Sequence, residues 1–177
     1  CSSPDRRAWM TIEAAEAHVT AFVRMGLGAE GIHIGGGEPF GDFDRLLAVV
    51  RAAGTSRLGG VGYVETNGYW ATSDTMTRDY LAELRSAGMR QISISADVFH
   101  QAFVDPERVS RLWRIAREVL GSGGVRARRW RFLKDPRDLR EANPEDLHRA
   151  YRDALASYGE RMTGRAARKL SHLVPRR

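Results

Sequence analysis

The sequence predicts an α/β protein built around a parallel β-sheet, and three observations support this prediction. Short apolar segments typical of strands begin near residues 31, 61, 90 and 125, and a spacing of about 30 residues is typical of successive βα units. Segments with helical periodicity separate them, and right-handed crossovers between such units give parallel strands with outer helices. A composition of 42% hydrophobic and 28% charged residues is that of a globular domain. Disordered, collagen-like and coiled-coil classes are therefore excluded.

The four predicted strands are short apolar or alternating runs that end in turn residues. They span residues 31–34, 61–65, 91–95 and 125–132. The first strand stops in three consecutive glycines, and the second ends just before the common turn dipeptide Asn67-Gly68. In the third strand Ile92 and Ile94 alternate with small polar residues, whereas the fourth is rich in arginine.

The predicted helices have apolar residues three or four positions apart and begin or end at capping residues. They span residues 11–25, 43–53, 77–87 and 106–120, followed by a helix that opens at 143–144 and a last stretch over 166–173. Thr11 and Asp105 are the expected N-caps, and Pro106 suits a first helical position. Gly54 and Gly88 are expected to end two of the helices. Residues 133–177 are predicted to form a C-terminal helical segment.

The net charge of +6 is concentrated in the second part of the chain. Residues 1–107 hold 9 Lys and Arg against 14 Asp and Glu, whereas residues 108–177 hold 19 against 8. A nucleic-acid-binding protein usually adds interleaved aromatic residues or a recognised module to such charge. The sequence contains no such module, so we interpret the excess as a solvated arginine face and do not predict nucleic-acid binding.

Apolar runs, the first residue and the number of cysteines limit where the protein can be located and which metal sites it can form. No apolar run approaches the roughly 18 to 20 residues that cross a bilayer, so a cytoplasmic protein without a membrane partner is the default expectation. Because the chain opens at Cys1 rather than at Met, we expect a preceding segment to be missing. Cys1 is the single cysteine, which excludes an intramolecular disulfide. It also means that the chain alone cannot supply the several thiolates of an iron-sulfur or zinc site.

Polar and glycine-rich residues follow each of the first three predicted strands. They are Gly35-Gly36-Gly37-Glu38-Pro39, then Glu65-Thr66-Asn67-Gly68, then Ser95-Ala96-Asp97. The carboxyl ends of parallel strands meet at one edge of the sheet, where α/β proteins bind ligands. Glycines let a ligand approach the backbone closely, and Glu38 offers an acceptor for an ammonium group. These residues together predict a site for a zwitterionic ligand.

The order of these motifs resembles that of the radical S-adenosylmethionine (radical SAM) enzymes. Members of that family carry a CxxxCxxC loop, then GGEP, TNG and often S-x-D after successive strands. Here GGEP is residues 36–39, TNG is residues 66–68 and S-x-D is residues 95–97, and Cys1 lies 35 residues before Gly36. The resemblance covers residues 1–132. It implies a partial (β/α)6 barrel with parallel strands and outer helices that lacks its first strand, followed by the C-terminal helical segment.

The same resemblance implies two cofactors and a role for each motif. Cys1 would be the third ligand of a 4Fe-4S cluster whose first two cysteines are absent from this chain, and S-adenosylmethionine (SAM) would bind the open iron. Gly36, Gly37 and Glu38, with Pro39 setting the turn, would hold the SAM amino group. Thr66, Asn67 and Ser95 would face its carboxylate or ribose, and Asp97 would order the strand end. An electron donor such as flavodoxin or ferredoxin would be a partner, and the substrate is not specified.

His100 is a candidate catalytic residue from its position alone, because a histidine just after a strand end can move a proton near neutral pH. An anchoring role for His100 in the loop is the alternative. Two other functions are open at this point: a cluster-free (β/α) barrel whose residues 35–37 bind phosphate, and a basic non-catalytic binding module. One inward arginine among Arg126, Arg128 and Arg131 could pair with a carboxylate.

Overall fold

The centre of the molecule is a four-stranded parallel sheet. The computed structural model describes residues 8–157, 168 and 170–174. The strands are β1 (His33–Ile34), β2 (Val61–Thr66), β3 (Met89–Ser95) and β4 (Val125–Arg128), and they lie in the order β1-β2-β3-β4. Every neighbouring pair is parallel. The predicted α/β class with a parallel sheet is confirmed.

Helices connect the strands and begin at the capping residues expected of them. They are α1 (Ile12–Arg24), α2 (Phe43–Thr55), α3 (Asp74–Ser86), α4 (Val98–Gln101), α5 (Pro106–Leu120), α6 (Trp130–Lys134) and α7 (Pro144–Ser157). The Thr11 hydroxyl accepts a hydrogen bond from the Ala14 N–H at 3.2 Å, and Asp105 accepts one from the Glu107 N–H at 2.9 Å. Both predicted N-caps are confirmed. No helix in the described ranges is both long and apolar enough to cross a membrane.

One face of the sheet is apolar and forms the main core. The sequential strand order and right-handed crossovers place α2, α3 and α5 on the same side of the sheet. Val64, Ile92 and Val125 share a register row and lie buried in one cluster with Leu81 of α3 and Leu112 of α5. In the described part of the chain, these helices cover one face of the sheet. This arrangement is consistent with an incomplete (β/α) barrel and differs from a doubly wound sheet, which has helices on both faces.

The opposite face of the sheet, which we call the polar face, is polar and partly exposed in the described part of the chain. It carries His33 from β1, Tyr63 and Glu65 from β2, Gln91, Ser93 and Ser95 from β3, and Arg126 and Arg128 from β4. His33, Arg126 and Arg128 are exposed, and Tyr63 and Glu65 are half-buried. Polar side chains and apolar side chains therefore alternate along β2 and β3, as expected for strands with one solvated face.

A smaller second cluster lies beyond the carboxyl end of β3. It joins Val98 of α4 to Ala150, Tyr151 and Ala154 of α7 and to Leu173. The C-terminal part of the chain therefore packs next to the loop that follows β3.

Several predicted boundaries are wrong, each for a local reason. The strand predicted over 125–132 ends at Arg128, because Arg129 adopts a left-handed conformation (φ 62°) and α6 follows. Residues 29–31 form a 3₁₀ turn, which shortens the first strand to His33–Ile34. The helix predicted to close at Gly54 continues to Thr55, and the one predicted from 77 begins at Asp74 with Ser73 as its N-cap. In the stretch predicted over 166–173, residues 166, 167 and 169 lie outside the described residues, residues 168 and 170 are helical as predicted, and Ser171–Leu173 is a 3₁₀ turn.

Candidate functional site

Glu38 joins the glycine loop after β1 to the turn after β2. Its Oε1 accepts the Thr66 hydroxyl at 2.7 Å and the Phe40 N–H at 3.3 Å, and its Oε2 accepts the Asn67 N–H at 2.7 Å. Burial raises the pKa of Glu38 despite these three hydrogen bonds, which favour the charged form. Glu38 is thus in direct contact with Thr66 and Asn67, which lie 28 and 29 positions after it in the sequence.

The Thr66 hydroxyl is fully committed to the protein. It donates to Glu38 and accepts hydrogen bonds from the Gly68 N–H at 3.1 Å and the Trp70 indole N–H at 2.9 Å. A hydroxyl has one donor and two accepting positions, so none remains for a ligand. Thr66 is 3% exposed and orients the Glu38 carboxylate.

The loop before Glu38 leaves room for a ligand. Gly36 has φ +120°, which disfavours any residue with a side chain, and no atom lies within 4 Å of a Cβ built at Gly36 or Gly37. Pro39 is buried and starts the 3₁₀ turn Pro39–Gly41, for which Glu38 is the N-cap. Gly36 and Gly37 of the GGEP motif are therefore exposed positions open to a ligand, and the buried Pro39 fixes the exit of the loop.

The side-chain NH₂ group of Asn67 is available to a ligand. Its Oδ1 accepts the Tyr69 N–H at 2.9 Å, which forms a turn through the side chain. Within the described ranges the Asn67 amide NH₂ has no protein partner, and the residue is half-buried. Asn67 can thus donate to an acceptor beside the Glu38 carboxylate.

Asp97 and His100 form an ion pair after β3. The His100 Nδ1–H donates to Asp97 Oδ1 at 2.7 Å, and the same oxygen accepts the Phe99 and His100 backbone N–H groups. Burial opposes ionisation of Asp97, but these donors outweigh it and lower its pKa. Burial also disfavours the charged His100, yet Asp97 and, more weakly, the charge of Glu38 raise its pKa. Asp97 is therefore the N-cap of α4 and the partner that fixes the His100 tautomer.

A narrow cavity lies between the end of β3 and α5. Ser95, His100, Gln101 and Ser110 contribute its polar lining, and Phe132 lies among its apolar residues. The Ser95 hydroxyl has no hydrogen-bond partner among the described residues. The Gln101 Nε2 donates to the Phe132 carbonyl at 3.1 Å, but its buried Oε1 has no partner in the described part of the chain.

The sequence predictions give no role to Tyr63 or Glu65 within β2, whereas they include Arg126 among three candidates for an inward arginine. Glu65 and Tyr63 of β2 project to the polar face, and Arg126 of β4 lies over the Tyr63 ring with 4.1 Å between its Cζ and the ring centroid. The period-two alternation of Val61, Tyr63 and Glu65 is the sequence signal that could have placed them on one face.

The proposed metal ligand cannot be placed, because Cys1 lies outside the described residues. Within 8–157, 168 and 170–174, no group of three or more His, Cys, Asp or Glu side chains could hold a metal ion. A 4Fe-4S cluster on three thiolates therefore does not fit the residues of this chain alone, since the sequence contains one cysteine.

No model of a known protein family matches this chain, and no curated protein matches its sequence. The functional assignment therefore depends on the residues gathered at the carboxyl ends of the strands: the glycine loop, Glu38 and Asn67 on one side, and Ser95, Asp97 and His100 on the other.

Proposed function

We propose that this chain is the SAM-binding part of a radical SAM enzyme. The observation that carries the proposal is the contact of the GGEP loop with the TNG turn through the Glu38 carboxylate, with both oxygens engaged at 2.7 Å. Two motifs that characterise the family by resemblance are thus joined at the carboxyl edge of a parallel sheet, where α/β proteins bind ligands.

Glu38 is the residue that we assign to the SAM ammonium group. A carboxylate has about four accepting positions, and three of them are used by Thr66, Asn67 and Phe40. The remaining position is on Oε2, which among the described residues accepts only the Asn67 N–H. Thr66 acts as a positioning residue for Glu38.

The other polar groups suit the remaining parts of the methionine and ribose moieties. The Asn67 amide donates, and the Ser95 hydroxyl both donates and accepts, so together they match a carboxylate or a hydroxyl. Asp97 accepts the Nδ1–H of His100, so the proton that the ring gains or loses is the one on Nε2. His100 is thus assigned a proton-holding role near the substrate.

By the resemblance, a 4Fe-4S cluster would supply the radical chemistry carried out with the bound SAM. This chain contributes at most Cys1 to such a cluster. The task of its described residues is to bind and orient the nucleoside-amino-acid ligand.

The proposal is tested by titrating the chain with SAM and following the backbone amides of residues 35–38 and 66–68 by NMR, which measures dissociation constants up to the millimolar range. Glu38→Gln should weaken SAM binding by about 10- to 150-fold, because a charge-assisted hydrogen bond contributes about 1.5 to 3 kcal/mol. Glu83→Gln, an exposed residue of α3, is the matched control and should leave SAM binding unchanged.

A second titration, with inorganic phosphate, distinguishes the proposed SAM binding from the main alternative function. Phosphate binding at residues 35–37 without SAM binding would favour a cluster-free phosphate-binding barrel and refute the proposal. Equal SAM affinity in wild type and Glu38→Gln would refute the assignment of Glu38.

A further inference from the structure

The polar face carries a guanidinium group that is held in place yet has free hydrogen-bond donors. The Nε–H of Arg126 donates to the Ser93 hydroxyl at 3.3 Å, and the guanidinium lies over the Tyr63 ring at 4.1 Å. The Tyr63 ring is itself stacked on the His33 ring, with centroids 4.9 Å apart and planes 8° from parallel. Three strands of the sheet therefore fix the position of one arginine side chain.

The two terminal nitrogens of Arg126 have no partner among the described residues. Arginine presents its donors as a planar fork, which matches the two oxygens of a carboxylate or phosphate. Stacking on an aromatic ring is attractive for the cation and holds the plane of the fork, so less side-chain entropy is lost when an anion binds. Arg126 is exposed, which leaves the fork accessible.

The polar face also carries an unpaired negative charge in the same row. Glu65 is in register with Ser93, and Ser93 with Arg126, so the Glu65 and Arg126 backbones are about 10 Å apart. No ion pair joins Glu65 to Arg126 or to another cation among the described residues, and its carboxylate lies against Gly35. The half-buried Glu65 would repel a dianion more strongly than a monoanion, which favours a carboxylate over a phosphate at Arg126.

We propose that the polar face is the binding site of a substrate of the amino-acid type, whose carboxylate is held by Arg126 and whose ammonium is held by Glu65. The proposal rests on the proposed function, because it identifies the substrate class of the same enzyme. Arg126 shares a register row with Glu65, one residue before the Thr66 that contacts Glu38, and we assign the carboxylate at Arg126 to the substrate.

The test is an NMR titration of the chain at constant ionic strength with four probes: glycine, acetate, methylammonium and inorganic phosphate. The Arg126 Nε–H and the backbone amides of Tyr63, Ser93 and Arg126 report binding. Glycine should bind more tightly than acetate or phosphate. Arg126→Gln should weaken glycine and acetate binding at least tenfold, and Glu65→Gln should bring glycine binding down to the level of acetate.

Two further variants are needed as controls. One tests whether the fork geometry of the guanidinium matters, and the other removes an arginine outside the proposed site. Arg126→Lys keeps the charge but removes the fork, and its glycine affinity should fall between those of wild type and Arg126→Gln. Arg117→Gln is the matched control, because Arg117 also lies over an aromatic ring, Trp113, but on the exposed surface of α5. Arg117→Gln should bind glycine like wild type.

Three results of the glycine titration would overturn the proposal. Glycine binding that is absent in wild type, unchanged in Arg126→Gln, or weaker than that of phosphate would each contradict it. A SAM affinity that falls as far as the glycine affinity in Arg126→Gln would show that Arg126 serves SAM. Because the glycine titration needs no SAM, absence of SAM binding at Glu38 would refute the proposed function without changing this result.

Discussion

At the scale of single residues, the Asp97–His100 pair shows how a short motif combines capping with a titratable group. The Asp97 carboxylate, with 10% of its side chain exposed, accepts two backbone N–H groups and the His100 ring at one oxygen. The His100 side chain is 40% exposed, so water screens its charge in part. The pKa of His100 is nevertheless raised by Asp97 against the effect of burial.

This pair predicts a pH-dependent contribution to stability. A group whose pKa is raised in the folded state stabilises the fold below its ordinary pKa of about 6.5, and this stabilisation is lost as the pH rises through the folded pKa. The pKa of Asp97 is lowered, so Asp97 stays ionised down to the acidic end of this window. The free energy of unfolding lost in His100→Gln should therefore be larger at about pH 5.5 than at about pH 8.5. Urea unfolding of both proteins across this range measures it.

The control for this measurement is His18→Gln. The His18 ring lies next to Phe22 on exposed α1 and is not hydrogen-bonded to a carboxylate among the described residues. A His100→Gln effect with the same pH dependence as that of His18→Gln would contradict a contribution from the Asp97 pair. A His100→Gln deficit that grows toward alkaline pH would contradict the charged pair.

At the scale of elements, glycines set how closely α2 approaches the turn between α3 and β3. A Cβ at Gly54 would lie 2.0 Å from the Ala87 carbonyl oxygen, and one at Gly60 would lie 2.1 Å from the Gly88 carbonyl oxygen. These obstacles are backbone atoms and cannot move aside as a flexible side chain would. Gly54 is therefore a contact position in the last turn of α2.

Gly54→Ala should destabilise the protein although it improves the helix. In an exposed helix interior this change is worth about 0.5 to 1 kcal/mol in favour of Ala. At Gly54 the backbone contact requires α2 to shift, and overpacking typically costs about 1 to 3 kcal/mol. We expect a net loss in the free energy of unfolding, measured by urea denaturation with an unchanged m-value.

Gly123→Ala is the matched control for the helix-contact prediction. No atom lies within 4 Å of a Cβ at Gly123, and its φ is not positive. This variant should be neutral or slightly stabilising. A Gly54→Ala protein as stable as Gly123→Ala would show that the close approach of α2 is not maintained in solution.

At the scale of the whole molecule, the described residues form two cores of unequal size. The main core lies between the sheet and helices α2, α3 and α5, and includes Ile92 and Ile94 at 0% exposure. The second core holds α7 against α4 through Tyr151 and its neighbours, and is smaller. Because local stability follows buried apolar contacts, the α7 region should open at a lower free energy than the sheet.

Native-state hydrogen exchange tests this difference in stability. The amides of Ile92 and Ile94 should exchange with the free energy of global unfolding. The amides of Tyr151 and Ala154 should exchange through a partial opening of lower free energy. Tyr151→Ala should accelerate exchange in α7 and leave exchange in β3 unchanged. A single common exchange free energy for α7 and β3 would show instead that the two cores unfold together.

The sequence by itself determined the order of the elements and the chemistry at the strand ends. Spacing of about 30 residues predicted four parallel strands, and capping residues such as Thr11 and Asp105 predicted two helix starts, because caps and periodicity are local properties. The same local order placed Glu38, Thr66 and Ser95 after consecutive strands, and the parallel sheet brings these ends to one edge.

Only the tertiary structure decided what each polar group contacts and which positions remain open. Thr66 is saturated by Glu38, Gly68 and Trp70, and Arg126 is held over Tyr63 from two strands away. These contacts depend on register and on the side to which the crossovers turn, which no local pattern records. The left-handed conformation of Arg129, which ends β4, is likewise not recorded in a local pattern, since the sequence alone predicts a strand that continues to residue 132.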